Sequence, residues 1–179
     1  MNSNKRQEIN NFAEQIRNIL EVETPVNTHD VVSRLKGDIK YADNVDGKEA
    51  KIEKINENNF EFRITLPHYT NVLRDRFTIA HELGHLFLHM GYLVDNEKWI
   101  ETPEYQDSAY YRFGHSQEEY EANEFAASFL MPQKEFIMIS KKYLEHDKYN
   151  LTEIANHFGV SEEAARTRGR FLGLFDWGG

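Results

Sequence analysis

The sequence predicts an α+β fold, mainly helical, with a small three-stranded antiparallel sheet and a helix-turn-helix-like segment near the C-terminus. Three observations carry this reading. Residues 77–89 are apolar on nearly every side, which is the pattern of a buried central helix. Phe60, Phe62, Ile64 and Leu66 alternate with Glu61, Arg63 and Thr65, which is the pattern of a strand with one wet face. Apolar residues at three- and four-residue spacing flank these segments on both sides, as amphipathic helices require.

The bulk numbers bound what such a chain can do. Its 179 residues suffice for one domain with a sizeable core. We expect a single domain over 1–179, with N-terminal helices over 1–37, the sheet over 38–66, site-bearing helices over 70–132 and a C-terminal helical segment over 134–179. Hydrophobic residues make up 40% and aromatics 13%, a globular composition. A net charge of -9 argues against general affinity for nucleic-acid phosphates or anionic membranes. The chain has no cysteine, which excludes disulfides and thiolate metal ligands. Met1-Asn2-Ser3-Asn4-Lys5-Arg6 leads into an amphipathic segment without the apolar core of a signal peptide. No apolar run approaches the ~18 residues of a membrane span. The expected location is the cytoplasm.

The elements follow in order. Ile9, Phe12, Ala13, Ile16, Ile19 and Leu20 place an amphipathic helix over about residues 5–21. Asn27 or Thr28 caps a short second helix carrying Val31, Val32 and Leu35, which Gly37 stops. Residues 38–42 form a strand, Asn44-Val45-Asp46-Gly47 a hairpin turn, and residues 48–55 a second strand. Asn56-Glu57-Asn58-Asn59 turns the chain into the third strand, and Pro67 ends it. The free sheet edge offers a place for an extended peptide to add as a strand. The central helix spans about 71–90, with Gly84 on its histidine side where another segment can come close. Residues 91–115 show little periodicity. Residues 116–132 form another helix, with Ser116 as N-cap and Pro132 as its stop.

The chemistry-bearing motif is His81-Glu82-x-x-His85. Residues four apart share a helix face, so both imidazoles can reach one metal ion. This is a zinc-binding spacing, and it leaves Glu82 beside the ion as a general base. A catalytic zinc needs a third protein ligand and an open position. On the helix over 116–132 the apolar face is Ala122, Phe125, Ala126, Phe129 and Leu130. Glu121 and Glu124 point well away from that face, whereas Glu118 and Glu119 flank it, so helical geometry leaves both of the latter as candidates. Ser116-x-x-Glu119 also fits a capping box. Asn123 lies one turn beyond Glu119 and can orient a ligand histidine. His89 lies about 12 Å along the axis from His81, too far to share its coordination shell. In the aperiodic stretch, Tyr110, Tyr111 and His115 are the candidates for stabilising an oxyanion.

Two segments together carry a resemblance. Arg76-Phe77-x-x-Ala80-His81-Glu82-Leu83-Gly84-His85 is followed by Glu119-x-Glu121-Ala122-Asn123-x-Phe125-Ala126-x-x-Phe129-Leu130-Met131-Pro132. This pair resembles the ImmA/IrrE family of zinc metallo-endopeptidases. Phe158-Gly159-Val160-Ser161-Glu162-Glu163-Ala164 and Leu172-Gly173-Leu174 resemble the end of that family's domain. The likeness covers about residues 74–174. It implies a minimal gluzincin-like fold, a bound Zn2+ and an intracellular protease. It implies Glu119 as the third ligand, because the family places that ligand at the first Glu of E-x-x-A-[N/D]. The implied substrate is a partner protein, a helix-turn-helix transcriptional repressor of a mobile element, phage or stress regulon. Phe129 departs from the usual Leu at its position.

Two other readings compete. Leu151 to Arg166 reads as helix, Gly turn, helix, so a DNA-binding regulator is one, with Arg166, Arg168 and Arg170 facing phosphates. Glu162 and Glu163 at the start of its second helix, and the lack of a positive excess, argue against direct nucleic-acid binding. An inactive zinc-binding regulatory partner is the other, and the intact Glu82 argues against it.

Overall fold

The computed structural model describes residues 2–42, 50–68, 71–103 and 117–176. The order is α1 (Ser3–Ile19), α2 (Thr28–Arg34), β1 (Gly37–Ala42), β2 (Lys51–Glu57), β3 (Phe60–Pro67), α3 (Val72–Gly84) running into a π-helical turn (His85–His89), α4 (Asn96–Glu101), α5 (Gln117–Leu130), α6 (Gln133–Lys142), β4 (Leu144–Glu145), β5 (Lys148–Tyr149), α7 (Leu151–Phe158) and α8 (Glu162–Phe171). The fold is α+β and mainly helical, as expected. Asparagine side chains cap α1, α2, α3 and α7, each accepting from a backbone N–H in the first turn.

The sheet departs from the antiparallel meander. Its order is β1-β3-β2, with β1 parallel to β3 and β2 antiparallel to it. β1 and β2 therefore do not form the expected hairpin, and the 44–47 turn lies outside the described residues. The physical reason is the burial of β3. Phe62, Ile64 and Leu66 are fully covered, and Arg63 and Thr65 on the other face are buried too. A strand covered on both faces belongs in the centre of a sheet. Arg63 ties all three strands together, donating to Asp38 of β1 at 2.9 Å and to Glu57 of β2 at 2.8 Å. The tight turn into β3 uses Asn58 and Asn59 at φ 50° and 68°, the left-handed pair of a type I′ hairpin. Gly37 opens β1 rather than stopping α2; a Cβ there would collide with the Phe62 ring.

Two helices cross at the centre. Gly84 on α3 meets Ala122 on α5 so closely that a Cβ on Gly84 would stand 3.0 Å from the Ala122 Cα. The exposed Val72 and Leu73 begin α3, and full burial starts at Ile79. α5 also packs on α1, through Phe12 against Phe125 at 6.0 Å. Because neighbours cover several of its sides, Glu121 and Glu124 are buried, contrary to the expectation that they point away from the core. Glu124 accepts from Arg168 of α8 at 3.1 Å, from Arg6 at 3.1 Å and from Asn10 at 2.8 Å.

The remaining elements close this core. The stretch read as aperiodic contains α4, whose Trp99 packs on Tyr92 at 4.9 Å. α7 ends at Gly159, whose φ of 61° suits glycine. Its carbonyl accepts from Arg76 of α3, which pins the turn between α7 and α8 to the central helix. Arg168 is 1% exposed and also donates to the Met131 carbonyl, so it is spent inside the fold and cannot meet a phosphate. Replacing Arg168 with Met strips Glu124 of its deepest partner and should cost about 3–5 kcal/mol in urea denaturation. Adding Glu124→Gln should recover part of that loss. A loss below about 1 kcal/mol would contradict the structural role of this pair.

Candidate metal centre

The α3 helix presents His81 and His85 on the face that α5 crosses. Their Nε2 atoms lie 3.1 Å apart. Glu119, one turn before Ala122 on α5, brings its carboxylate between them. Its Oε2 is 3.3 Å from His81 Nε2, and its Oε1 is 3.3 Å from His85 Nε2. Donor atoms bound to one zinc at about 2.05 Å in tetrahedral geometry stand about 3.3 Å apart. Each of the three contacts, two of them through different carboxylate oxygens, matches that separation, and one donor atom from each group lies within 4.8 Å of the others. Among the described residues, this is the group of His, Asp and Glu side chains able to share an ion.

Hydrogen bonds on the far side of each ring set what the near side offers. His81 Nδ1 lies 3.0 Å from Asn123 Oδ1, which only accepts. The Nδ1 proton therefore points at Asn123, and neutral His81 presents a lone pair at Nε2. His85 Nδ1 lies 2.9 Å from His89 Nδ1, and His89 Nε2 lies 3.4 Å from Glu121 Oε2. The carboxylate can only accept, so His89 Nε2 carries the proton and donates. His89 Nδ1 then accepts from His85, whose Nε2 is likewise a lone pair. Two lone pairs and a carboxylate thus converge, and such a set calls for a cation at its centre.

In the metal-free protein protons stand in for the ion between these groups. Burial works against the His81 cation, but the hydrogen bond to Glu119 and the nearby Glu82 and Glu119 charges outweigh it and raise the pKa. Glu119 is held well below the usual carboxylate range by hydrogen bonds from His81 and His85. His89 is driven down to about 4 by burial first and then by its His85 neighbour, so it stays neutral near pH 7.

The other named residues fall out as follows. Glu82 is 1% exposed and close enough for its charge to bear on His81. Of the two carboxylates that helical geometry left open, Glu119 meets the histidines. Asn123 sits where its orienting role requires. Tyr110, Tyr111, His115 and the Ser116 cap lie outside the described residues. His89 stays outside the three-ligand group, but it is not idle, and neither it nor Glu121 was assigned a partner from the sequence. The available signals were the four-residue step from His85 to His89 and the Glu two residues after Glu119.

Comparison with known proteins places the chain. The family profile of peptidase family M78, described as the IrrE N-terminal-like domain, matches residues 48–169, well over half of the chain. No curated protein matches the sequence. A solved structure of a Mycobacterium tuberculosis transcriptional regulator is similar, with a TM-score of 0.58 and 15% identity, over 90% of this chain and 46% of that one. The chain thus spans less than half the length of that regulator, and the likeness at this identity is one of fold. No described helix is long and apolar enough to cross a membrane. The two-histidine helix, the carboxylate from the crossing helix and the profile match agree, and the chain belongs to the IrrE-like M78 family of metallopeptidases.

Proposed function

We propose that the protein is a zinc-dependent endopeptidase that cleaves a helix-turn-helix transcriptional repressor in the cytoplasm. The observation that carries the proposal is the convergence of His81 Nε2, His85 Nε2 and the Glu119 carboxylate within reach of one ion. Imidazole and carboxylate donors in a three-ligand set suit zinc with one position left open. A bound zinc ion supplies Lewis-acid polarisation of the scissile carbonyl and lowers the pKa of its water.

The residues of the chain supply the rest. Glu82 takes a proton from the attacking water as the new C–O bond forms, and delivers it to the amide nitrogen as the C–N bond breaks. Its near-complete burial on the histidine helix suits a base shielded from bulk solvent. Asn123 holds His81 in one orientation and one tautomer throughout. The repressor as partner comes from the family resemblance. The net charge of -9 supports it, because DNA-binding faces are basic and are attracted by an acidic enzyme. The burial of Arg168 and the acidic start of α8 favour a protein partner over direct DNA contact.

Two outcomes are expected. Zinc at one hundred times its Kd should stabilise the metal-free protein by about 2.7 kcal/mol in thermal or urea unfolding, and Glu119→Ala should abolish most of that gain. A full gain in Glu119→Ala would remove it from the ligand set. Second, Glu82→Gln should keep its zinc, measured by metal analysis, and lose about 10²–10⁴-fold in cleavage rate. Cleavage is read by mass spectrometry after co-expression with candidate repressors from the same genome, as a new terminus that a chelator suppresses. Undiminished cleavage by Glu82→Gln would overturn the assignment of the base. No new terminus with any repressor would favour a zinc-binding regulatory role.

A further inference from the structure

We infer that His89 and Glu121 form a positioning relay that fixes the second metal ligand, His85, and sets how tightly the site holds its ion. The inference rests on the metal-site reading above and deepens it.

The relay begins with a backbone irregularity. Here the turn widens, and the Met90 N–H bonds the His85 carbonyl, five residues back, at 3.0 Å. Across this π-helical turn the two rings meet tilted by 54°, with centroids 4.9 Å apart and Nδ1 atoms facing at 2.9 Å. Such single turns inside α-helices are frequent at functional sites.

The second half comes from α5. Glu121 is two residues beyond Glu119 and so projects from a different side of that helix. Its Oε2 receives His89 Nε2 at 3.4 Å, and its Oε1 accepts from Gln117 Nε2 at 2.7 Å. The His89 and Glu121 side chains are 8% and 11% exposed. Both helices that supply ligands therefore also supply the parts that orient one. The chain of bonds runs from the Glu121 carboxylate through both nitrogens of His89 to His85 Nδ1. Its far end is the Nε2 lone pair. A carboxylate acting through an imidazole makes the ligand more basic and forbids the tautomer that would put a proton where the ion belongs. Among the described residues, the neutral amide of Asn123 performs the same task for His81.

The experiment measures zinc affinity of the full chain at neutral pH by competition with a chelator of known strength, alongside the melting temperature of the metal-free protein. His89→Phe removes the acceptor and fills the space. It should weaken zinc binding about 10–100-fold while the metal-free melting point stays close to that of the parent. His89→Asn places an amide oxygen near the lost Nδ1 and should restore affinity to within a few-fold of the parent. Glu121→Gln keeps a hydrogen-bond acceptor but loses the charge, and should fall between the two. Parental affinity in His89→Phe, or an equal loss in His89→Asn, would overturn the relay. A loss of metal-free stability without a loss of affinity would reduce His89 to a packing residue. Failure of the parent to bind zinc would overturn the metal site along with the relay. Binding that follows this series without any protein cleavage would leave the relay standing and remove the peptidase assignment.

Discussion

The close crossing of α3 and α5 at Gly84 and Ala122 is the constraint on which the site depends. A side chain at position 84 would push the helices apart. Glu119 would then retreat from the two imidazoles, and their Nε2 atoms would face each other without a carboxylate to complete the set. The same contact brings Asn123 to His81 and Glu121 to His89, because both project from α5 within a turn of the crossing. One glycine therefore bears on four polar contacts between α5 and the histidine helix.

Buried charge is the recurring cost of this arrangement, and the fold offsets it by pairing. Glu119 meets two histidines, Glu121 meets His89 and Gln117, and Glu124 meets Arg168, Arg6 and Asn10. The three carboxylates leave α5 in different directions, toward the metal site, the π-helical turn and the α1–α8 layer. An acidic helix can lie at the centre of the molecule because two of these directions end on donors and the third on a metal site. The pairing of Glu124 also explains why α8, which reads as a recognition helix, turns its Arg168 inward.

Much of this was legible in the residues. The ligand pair, Glu82 and the Gly84 approach follow from helical periodicity applied to one short stretch, and Asn123 from one turn of the next helix. The choice of Glu119 over Glu118 did not follow from periodicity; it needed the family resemblance, and the structure now shows the contact. The sheet order was not legible. Alternation in residues 60–66 shows one apolar face but says nothing of the partner covering the other, and here Arg63 and Thr65 are covered as well. Glu121 and Glu124 were misplaced for a related reason. A helix wheel assigns one face to the core, whereas α5 is enclosed by α1, α3 and α8 and buries its acids through long-range partners such as Arg168. His89 was set aside as a ligand and stays outside the three-ligand group; its contacts with His85 and Glu121 were not read, and no local residue signal marks the π-helical turn.

The most direct test of the central claim is anomalous diffraction at the zinc edge from crystals of the zinc-loaded protein. The account predicts one strong peak equidistant from His81 Nε2, His85 Nε2 and a Glu119 carboxylate oxygen, at about 2.0–2.2 Å from each, with Glu82 outside the shell. A peak lying elsewhere, or a Glu119 side chain turned away from the ion, would contradict it.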